Sequence, residues 1–542
     1  MTSAFLSTWA GVDHEAHVAV TASGDAAESV QTLTPALVEE RVASRLGSGD
    51  PTLWGAEAEA DARLRLGWTA LHETARRHLG ELEELFVDLR GEGVNRVVLV
   101  GMGGSTLAPT VICATYGVPL VTLDSTEPSQ VRAAIAGDLA ATVVVVASKS
   151  GGTVETQAIH SAVEEAFSRE GLDFRRRMVI VTDPGSPLER QAREDGCRAL
   201  FLADPHVGGR FSALSAFGLV PAALAGVPVL DLLDEAAAVA ESLEEDDPAN
   251  PALVLGAALA GLRRTLVLSD HGSGIVGLDE WIEQLVAGST GKNRRGIVPV
   301  VAEPHAPELT QPDVLDCRLV SLTAIDESDG SHLTVSGTLG GQLLLWQHSV
   351  AIASRVLGVN PFDEPDIDNA KNAAREILDS DVMPDAPDLV DQGVELRATD
   401  GLLDGIGSLE DAVHALENHL TPDGYLAILA FLDKETSLAL PGARRTLASR
   451  LARPVSFAWG PRYVHSSGQL HKGGPDSGVY LMLSSTYGED LEIPGLPHTF
   501  GRLIRAQATG DFEALQALGR PVLHLTLTDR SQVAAVAALL EG

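Results

Sequence analysis

The chain has few cysteines, which stabilise many secreted proteins, and its basic residues are far outnumbered by acidic ones. It has only 3 cysteines among 542 residues, and its formal net charge is −36. Cys113, Cys197 and Cys317 lie far apart and form no Cys-x-x-Cys pair, so their spacing predicts neither a disulfide framework nor a zinc site. The excess of acidic residues disfavours a nucleic-acid partner and an anionic membrane surface.

No segment of the sequence has the pattern of a leader peptide or a membrane span. Residues 1–10 have no basic start, which a signal peptide would need, and no apolar run approaches the ~20 residues that cross a bilayer. We therefore expect a cytoplasmic protein. The hydrophobic content of 45% and the length of 542 residues predict a globular enzyme of two or three domains.

Lysine is also scarce, although arginine is not. Only 5 of the 39 basic residues are lysines, and they are Lys149, Lys292, Lys371, Lys434 and Lys472. Arginine cannot replace lysine where a compact charge or a titratable amine is required. The lysines that remain are therefore candidates for chemistry, and chance placement is the alternative.

The most informative stretch of the sequence is residues 143–156. Four consecutive valines, residues 143–146, predict a strand that is buried on both faces, and residues 154–167 predict a helix. The loop between them contains Ser148, Lys149 and Thr153. Hydroxyl and backbone N–H groups at a helix N-terminus favour an anion, and phosphate fits best. The alternative is an ordinary strand-to-helix turn, which is rich in the same residues.

Two more glycine-rich loops accompany predicted strands and helices. Residues 101–105, Gly-Met-Gly-Gly-Ser, follow a predicted strand at 97–100 but lack the spacing of a dinucleotide-binding fingerprint. Residues 208–210, Gly-Gly-Arg, can present a guanidinium group to an oxyanion or form a surface turn. The alternation of strands and helices predicts a doubly wound parallel sheet, which binds ligands at the carboxyl ends of its strands.

The C-terminal part of the sequence contributes two histidines in a glycine-rich loop. His465 and His471 lie six residues apart without a carboxylate or cysteine at ligand spacing. This composition favours acid–base chemistry over a metal site. We predict a largely helical region over residues 1–90 and an alanine-rich helical connector over residues 234–262.

Six segments of the sequence resemble the glucose-6-phosphate isomerase family, which is built from two sugar isomerase (SIS) domains. The signatures are residues 101–105, 148–156, 208–212, 284–292 and 360–371, and residues 463–474 resemble the isomerase half of transaldolase–isomerase fusions. The resemblance implies an α/β fold with two doubly wound parallel-sheet SIS domains and an N-terminal helical cap. The implied units are an N-terminal helical region (residues 1–90), a first SIS domain (91–232) and a second SIS domain with a C-terminal extension (255–542).

The same resemblance implies an activity and a set of residue roles. The expected reaction interconverts glucose 6-phosphate and fructose 6-phosphate through a cis-enediol, as in glycolysis and gluconeogenesis, without a metal or organic cofactor. Arg210 would stabilise the enediol charge, and Lys371 with a histidine would open the sugar ring. We choose His471, which follows a Gly-Gln pair, and keep His465 in reserve. In the family this histidine comes from the partner subunit, so a homodimer is expected. The residues expected to bind the phosphosugar are Gly103, Gly104, Ser105, Ser148, Lys149, Ser150, Thr153 and Glu364.

The sequence departs from the family pattern at the general base. Gly288 stands where the family has the catalytic glutamate, Glu364 stands where it has glutamine, and Gln347 stands where it commonly has glutamate. An active isomerase would then need a substitute base, and Glu283 and Glu364 are the candidates. The alternatives are a catalytically impaired sugar-phosphate-binding SIS protein and an isomerase of another phosphosugar.

Overall fold

The computed structural model describes residues 8–13, 18–261, 265–312, 315, 317–324, 332–379 and 386–542. In chain order its strands are β1 (Thr8–Asp13), β2 (Val18–Ser23), β3 (Arg96–Gly101), β4 (Val121–Leu123), β5 (Thr142–Ala147), β6 (Met178–Thr182), β7 (Ala199–Leu202), β8 (Thr265–His271), β9 (Pro299–Val301), β10 (Cys317–Thr323), β11 (Leu333–Ser336), β12 (Leu389–Asp391), β13 (Val394–Ala398), β14 (Tyr425–Ala430), β15 (Val455–Trp459), β16 (Gly478–Ser485) and β17 (Val522–Leu527).

Helices cover the faces of the sheets that these strands form. They are α1 (Gly24–Glu39), α2 (Val42–Gly47), α3 (Glu59–Arg63), α4 (Leu71–Thr74), α5 (Leu79–Gly91), α6 (Gly104–Thr115), α7 (Pro128–Ile135), α8 (Val154–Arg169), α9 (Pro187–Asp195), α10 (Ala216–Ala225), α11 (Val229–Glu244), α12 (Pro251–Gly261), α13 (Leu278–Thr290), α14 (Pro307–Thr310), α15 (Leu339–Leu357), α16 (Ile367–Asp379), α17 (Leu409–Glu417), α18 (Ala439–Leu451), α19 (Gly468–Gly473), α20 (Phe500–Ala517) and α21 (Ser531–Glu541).

The first sheet is entirely parallel and confirms the predicted doubly wound arrangement. Its strand order is β4-β3-β5-β6-β7. Every residue of the central strand β5 is buried, because a parallel strand with helices on both faces has no solvent side. The loop after β5 leads into α8, which begins at Val154 as predicted. The loops that follow β3 and β5 therefore emerge at the same edge of the sheet.

The second sheet corrects the prediction for the N-terminus. Its order is β1-β2-β11-β10-β8-β9, in which β8 to β11 are parallel and β2 pairs antiparallel with β11. Residues 24–91 are largely helical, as we expected for residues 1–90, but the strands β1 and β2 precede them. Val18, Val20 and Ala22 are buried and alternate with half-exposed neighbours, which is the period of a strand rather than a helix.

The predicted connector at residues 234–262 forms two helices, α11 and α12, in place of one. The break falls at residues 245–250, where Asn250 Oδ1 accepts a hydrogen bond of 2.8 Å from the Ala252 N–H. Residues 251–259 of α12 are all buried, and the helix packs against α1 and α15. This segment is therefore part of the core and does more than connect two domains.

The C-terminal part of the chain has a sheet of its own, with order β12-β13-β17-β16-β14-β15. The four strands β14 to β17 are parallel, whereas β12 and β13 are antiparallel additions at one edge. The sequence indicated an extension of the second SIS domain, and the structure shows a third sheet. The predicted domain boundaries stay predictions.

No helix within the described ranges is both long enough and apolar enough to cross a lipid bilayer. Cys113 and Cys317 are buried, and Cys197 is partly buried. The predicted compartment stays a prediction.

Candidate active site

A cavity of about 420 Å³ lies at the carboxyl edge of the first sheet, where ligands of doubly wound sheets bind. It is bounded by the loops after β3 and β5, the segment around Arg210 and parts of α13 and α16. Nine of the residues that the sequence singled out line this cavity, namely Gly104, Ser105, Ser148, Lys149, Ser150, Thr153, Arg210, Glu364 and Lys371. Residues that are far apart in the chain therefore come together in one cavity, as expected.

The paired glycines after β3 allow the walls of the cavity to approach closely. Gly103 has a φ of +57°, and a Cβ at this position would lie 2.7 Å from the carbonyl oxygen of His465. A Cβ at Gly104 would lie 2.2 Å from the carbonyl oxygen of Gly209. No larger residue fits at either position, so these glycines shape the cavity more than they bind a ligand.

The loop after β5 forms the anion-binding end of the cavity. Ser148 Oγ accepts a hydrogen bond of 3.1 Å from the Gly151 N–H and lies 3.3 Å from Thr153 Oγ1. Thr153 is the N-cap residue of α8, but its hydroxyl makes no cap hydrogen bond. The hydroxyl groups of this loop therefore line the cavity beside the positive end of the α8 dipole, which suits a phosphate.

Asp183 is a cavity residue that the sequence analysis missed. Its Oδ2 lies 2.5 Å from Lys149 Nζ, and it follows β6 at the same sheet edge. Burial lowers the pKa of Lys149, and Asp183 opposes this shift. A phosphate bound in this loop would share Lys149 with Asp183. The signal that could have identified Asp183 in the sequence is its position directly after a parallel strand.

Arg210 occupies the other end of the cavity, where it is 6% exposed. Its Nε donates to Ser289 Oγ at 3.0 Å, and its Nη2 donates to the carbonyl oxygens of Pro361 and Asp363 at 2.7 and 2.9 Å. Its Nη1 pairs with the carboxylate of Glu364. One guanidinium thus ties α13 to the loop at residues 361–364, and its fixed planar geometry suits such bridging.

Gly288 lies in α13 beside this guanidinium and not at the cavity surface. A Cβ built at this position would be 3.1 Å from Arg210 Cδ and 3.4 Å from Arg210 Nη1. The position that carries the base in the family resemblance therefore adjoins Arg210 but has no side chain here. The ion pair with Arg210 compensates the charge of Glu364.

A histidine–carboxylate pair forms the third wall of the cavity. His465 Nε2 lies 3.0 Å from Glu155 Oε1, which also accepts a hydrogen bond of 2.7 Å from Gln507 Nε2. Gln507 Oε1 in turn accepts from Thr126 Oγ1 at 2.6 Å. Burial alone would raise the pKa of Glu155, but the charge of His465 and its hydrogen bond, together with Lys371, lower it overall. An ionised Glu155 fixes the orientation of the imidazole at the cavity wall.

The choice of His471 as the ring-opening residue is corrected by its position. The segment that we expected to be a loop contains α19, and His471 lies in the core, 3% exposed. The rings of Tyr425, Tyr463 and Tyr480 surround it with centroid distances of 5.3 to 6.4 Å. Burial, with Lys472 and Arg520 nearby, lowers the pKa of His471 to about 3, so the ring stays neutral. The reserve candidate His465 is the histidine that lines the cavity.

Glu283, one of two candidates for a substitute base, lies outside the cavity. It lines a neighbouring cavity of about 500 Å³ together with Asp279, Glu280 and Arg462. The adjacent residue on α13, Gln284, faces the active-site cavity instead. Neighbouring residues on a helix point about 100° apart, which separates the two side chains.

The environment of Glu283 leads to a prediction about stability. Burial, with Glu280 next in importance, raises the pKa of Glu283 from 4.5 to about 8 although Arg462 opposes the shift. Between these two pH values the folded protein keeps a proton that the unfolded chain releases, so stability falls as pH rises through this window. The substitution Glu283→Gln is expected to raise the melting temperature at pH 9 relative to wild type and to have less effect at pH 5. Equal shifts at both pH values, or a similar profile for the exposed control Glu83→Gln, would contradict this assignment.

Lys371 lies on α16 and completes the cavity opposite the loop after β5. Its Nζ is 3.8 Å from Asp368 Oδ1, and its side chain is 37% exposed. Lys371 and His465 also line an adjoining cavity of about 280 Å³. A second lysine, Lys292, is fully buried and binds Asp363 Oδ1 at 2.7 Å. It therefore holds the loop that carries Glu364 and does not face the ligand.

Comparison with known proteins agrees with this geometry. Residues 83–289 match the family model described as phosphoglucose isomerase. Glucose-6-phosphate isomerase from Synechococcus sp. (strain JA-3-3Ab) is 28% identical over 354 residues, which cover 53% of this chain and 66% of that protein. The corresponding protein of Geobacter sulfurreducens is 28% identical over 348 residues and is also covered to 66%. The chain thus spans slightly less than two thirds of these relatives.

Solved structures show the same fold. A hypothetical protein from Thermus thermophilus superimposes with a TM-score of 0.54 and 27% identity, over 65% of this chain and 97% of that one. A glucose-6-phosphate isomerase from Chlamydia trachomatis superimposes with a TM-score of 0.52 and 19% identity, over 67% and 89% of the two chains. The second likeness concerns the fold alone.

Proposed function

We propose that this chain, whose residues 83–289 match the phosphoglucose isomerase family model, interconverts glucose 6-phosphate and fructose 6-phosphate in the 420 Å³ cavity. One observation carries the proposal. The cavity joins an anion-binding loop, a buried arginine and a histidine that is paired with a carboxylate, and these groups suit phosphate binding, stabilisation of the enediolate charge and ring opening. The relatives that bear the name of this activity support the choice of substrate.

Binding would begin at the loop after β5. The phosphate accepts hydrogen bonds from the hydroxyls of Ser148, Ser150 and Thr153 and from the N–H groups at the start of α8. Lys149 adds a compact positive charge. This local site captures an anion in spite of the net charge of −36, and it leaves the sugar carbons pointing towards Arg210.

Ring opening would use His465. The imidazole donates or removes a proton at the ring oxygen and the anomeric hydroxyl, and Glu155 keeps it in one orientation by the hydrogen bond of 3.0 Å. Lys371 lies on the same wall and stabilises negative charge on a sugar oxygen. The open-chain aldehyde or ketone then lies next to the guanidinium of Arg210, which stabilises the enediolate.

The proposal of a homodimer loses one of its arguments. We based it on a histidine that a partner subunit supplies, but here His465 of the same chain lines the cavity. The homodimer and the cytoplasmic location therefore stay predictions, and the proposed reaction does not depend on either.

A second candidate function is that of a sugar-phosphate-binding protein without turnover. The observation that favours it is Gly288, which leaves the family's base position without a carboxylate beside Arg210. Such a protein would bind fructose 6-phosphate but would not convert it.

The decisive experiment measures isomerisation in both directions by coupled assays. We expect turnover for the wild type and, for Thr153→Val, a KM that is about 10-fold higher with a similar kcat, because a hydrogen bond to a charged group is worth about 1.5–3 kcal/mol. The matched control Thr32→Val removes an exposed hydroxyl on α1 and should behave as wild type. Binding of fructose 6-phosphate without turnover in either direction would contradict the isomerase function and support the binding function.

A further inference from the structure

The position of the missing base and the position of Glu364 share one neighbour, Arg210. A Cβ at residue 288 would lie 3.4 Å from Arg210 Nη1, and the carboxylate of Glu364 pairs with this same nitrogen. A glutamate at 288 would therefore place its side chain against the same guanidinium with which Glu364 now pairs. In this chain the carboxylate beside Arg210 comes from the loop that carries Glu364, and position 288 supplies none.

The loop that presents Glu364 is held in place by buried cations. Arg210 donates two hydrogen bonds to the carbonyl oxygens of Pro361 and Asp363, and Lys292 binds Asp363 Oδ1 at 2.7 Å and also the carbonyl oxygen of Asn360. The side chain of Glu364 nevertheless remains 41% exposed, because it lies at the cavity surface. The backbone of Glu364 is held in place by these contacts, while its side chain remains accessible from the cavity. Its carboxylate can therefore reach a bound substrate.

The other carboxylates around the cavity lie away from the end that Arg210 occupies. Of the described residues that line the cavity, only Asp183 and Glu364 are carboxylates. Asp183 binds Lys149 at the phosphate end, and Glu155 lies behind His465 and accepts from Gln507. Glu283 lines the neighbouring cavity. Glu364 is thus the carboxylate that stands at the reacting end.

We propose that Glu364 is the general base that carries the proton between C1 and C2, in compensation for the glycine at 288. This inference rests on the proposed isomerase function. In the open-chain aldose the carboxylate removes the C2 proton, the C–H pair forms the C1=C2 bond, and the carbonyl oxygen O1 becomes the enediolate oxygen beside Arg210. The acid form of Glu364 then returns its proton to C1 while the O2 hydroxyl becomes the carbonyl and its proton passes to O1. No further reactant is required.

The first test replaces the carboxylate and keeps its shape. We expect Glu364→Gln to lower kcat by about 10²–10⁴-fold, the usual contribution of a general base, while fructose 6-phosphate still binds with an affinity within about threefold of wild type. Glu283→Gln is the matched control from the neighbouring cavity and should retain activity. If Glu364→Gln keeps wild-type turnover, or if Glu283→Gln loses it instead, Glu364 is not the base.

Two rescue experiments separate a base from a residue that only positions Arg210. Formate added to Glu364→Ala should restore at least tenfold in kcat, because a small carboxylate can occupy the cleared space. The double variant Gly288→Glu/Glu364→Gln should likewise recover at least tenfold over Glu364→Gln, since it returns a carboxylate to the other side of Arg210. If neither rescue occurs, the proposal is wrong and Glu364 acts through Arg210 alone. A wild-type protein that binds but does not isomerise would instead overturn the proposed function.

Discussion

Replacement of Arg210 by alanine is expected to lower kcat for sugar-phosphate isomerisation by about 10²–10³-fold, the effect of removing a donor that stabilises a developing oxyanion. The guanidinium is 6% exposed and joins Glu364, Ser289 and the loop at residues 361–363. Its removal eliminates the positive charge at the enediolate and releases the loop that carries the proposed base. The phosphate loop lies at the other end of the cavity, so KM should change less than kcat.

The Arg210→Lys variant distinguishes charge from geometry. An ammonium group keeps the charge but cannot make the four contacts of the guanidinium fork, so kcat should fall between those of wild type and Arg210→Ala. The exposed Arg63, which pairs with Glu59 on α3, serves as a control, and Arg63→Ala should be fully active. Wild-type kcat in Arg210→Ala, with fold confirmed by circular dichroism, would contradict the assigned role.

The largest effect on stability is expected from Asp511→Asn. Asp511 on α20 and Lys472 on α19 form an ion pair of 2.5 Å in which both side chains are 0% exposed, and Tyr463 donates a hydrogen bond to the same carboxylate. Loss of the carboxylate leaves a buried ammonium group without a counter-charge, which costs about 3–5 kcal/mol. Urea unfolding followed by circular dichroism should show a correspondingly lower midpoint.

A paired replacement tests the reason for this loss. In Lys472→Met/Asp511→Leu both charges are absent, so most of the lost stability should return, because an apolar pair of similar volume is often as stable as a buried ion pair. The exposed pair of Arg63 and Glu59 gives the scale for a surface contact, and Arg63→Ala should change stability by less than about 1 kcal/mol. If Asp511→Asn has no larger effect than Arg63→Ala, the buried pair is not a stabilising element.

Local sequence pattern was sufficient for the strands of the first sheet and insufficient for the N-terminal strands of the second sheet. The valines of β5 predicted a buried strand because their burial follows directly from their composition. The N-terminal strands were missed, since β2 is stabilised by pairing with β11, more than 300 residues further along the chain. The alternation at Val18, Val20 and Ala22 was visible in the sequence but lay next to the helical α1.

The sequence predicted the site residues that lie in the loops after strands. It missed the residues whose position depends on contacts with distant parts of the chain. Ser148, Arg210 and Glu364 line the cavity as expected. His471 was preferred to His465 because of a neighbouring Gly-Gln pair, but burial, which the sequence does not display, places His471 in the core. Glu155 looked like an ordinary first-turn helix residue, and its contact with Gln507 spans 352 positions of the sequence.

The measurement that tests the account most directly is incubation of the unmodified protein with fructose 6-phosphate in deuterated water, followed by proton NMR. The account predicts glucose 6-phosphate with deuterium at C2, because the proton carried by the base exchanges with solvent during the enediol step. Bound fructose 6-phosphate with neither glucose 6-phosphate nor deuterium incorporation would contradict it and leave a cavity that binds phosphosugars without converting them.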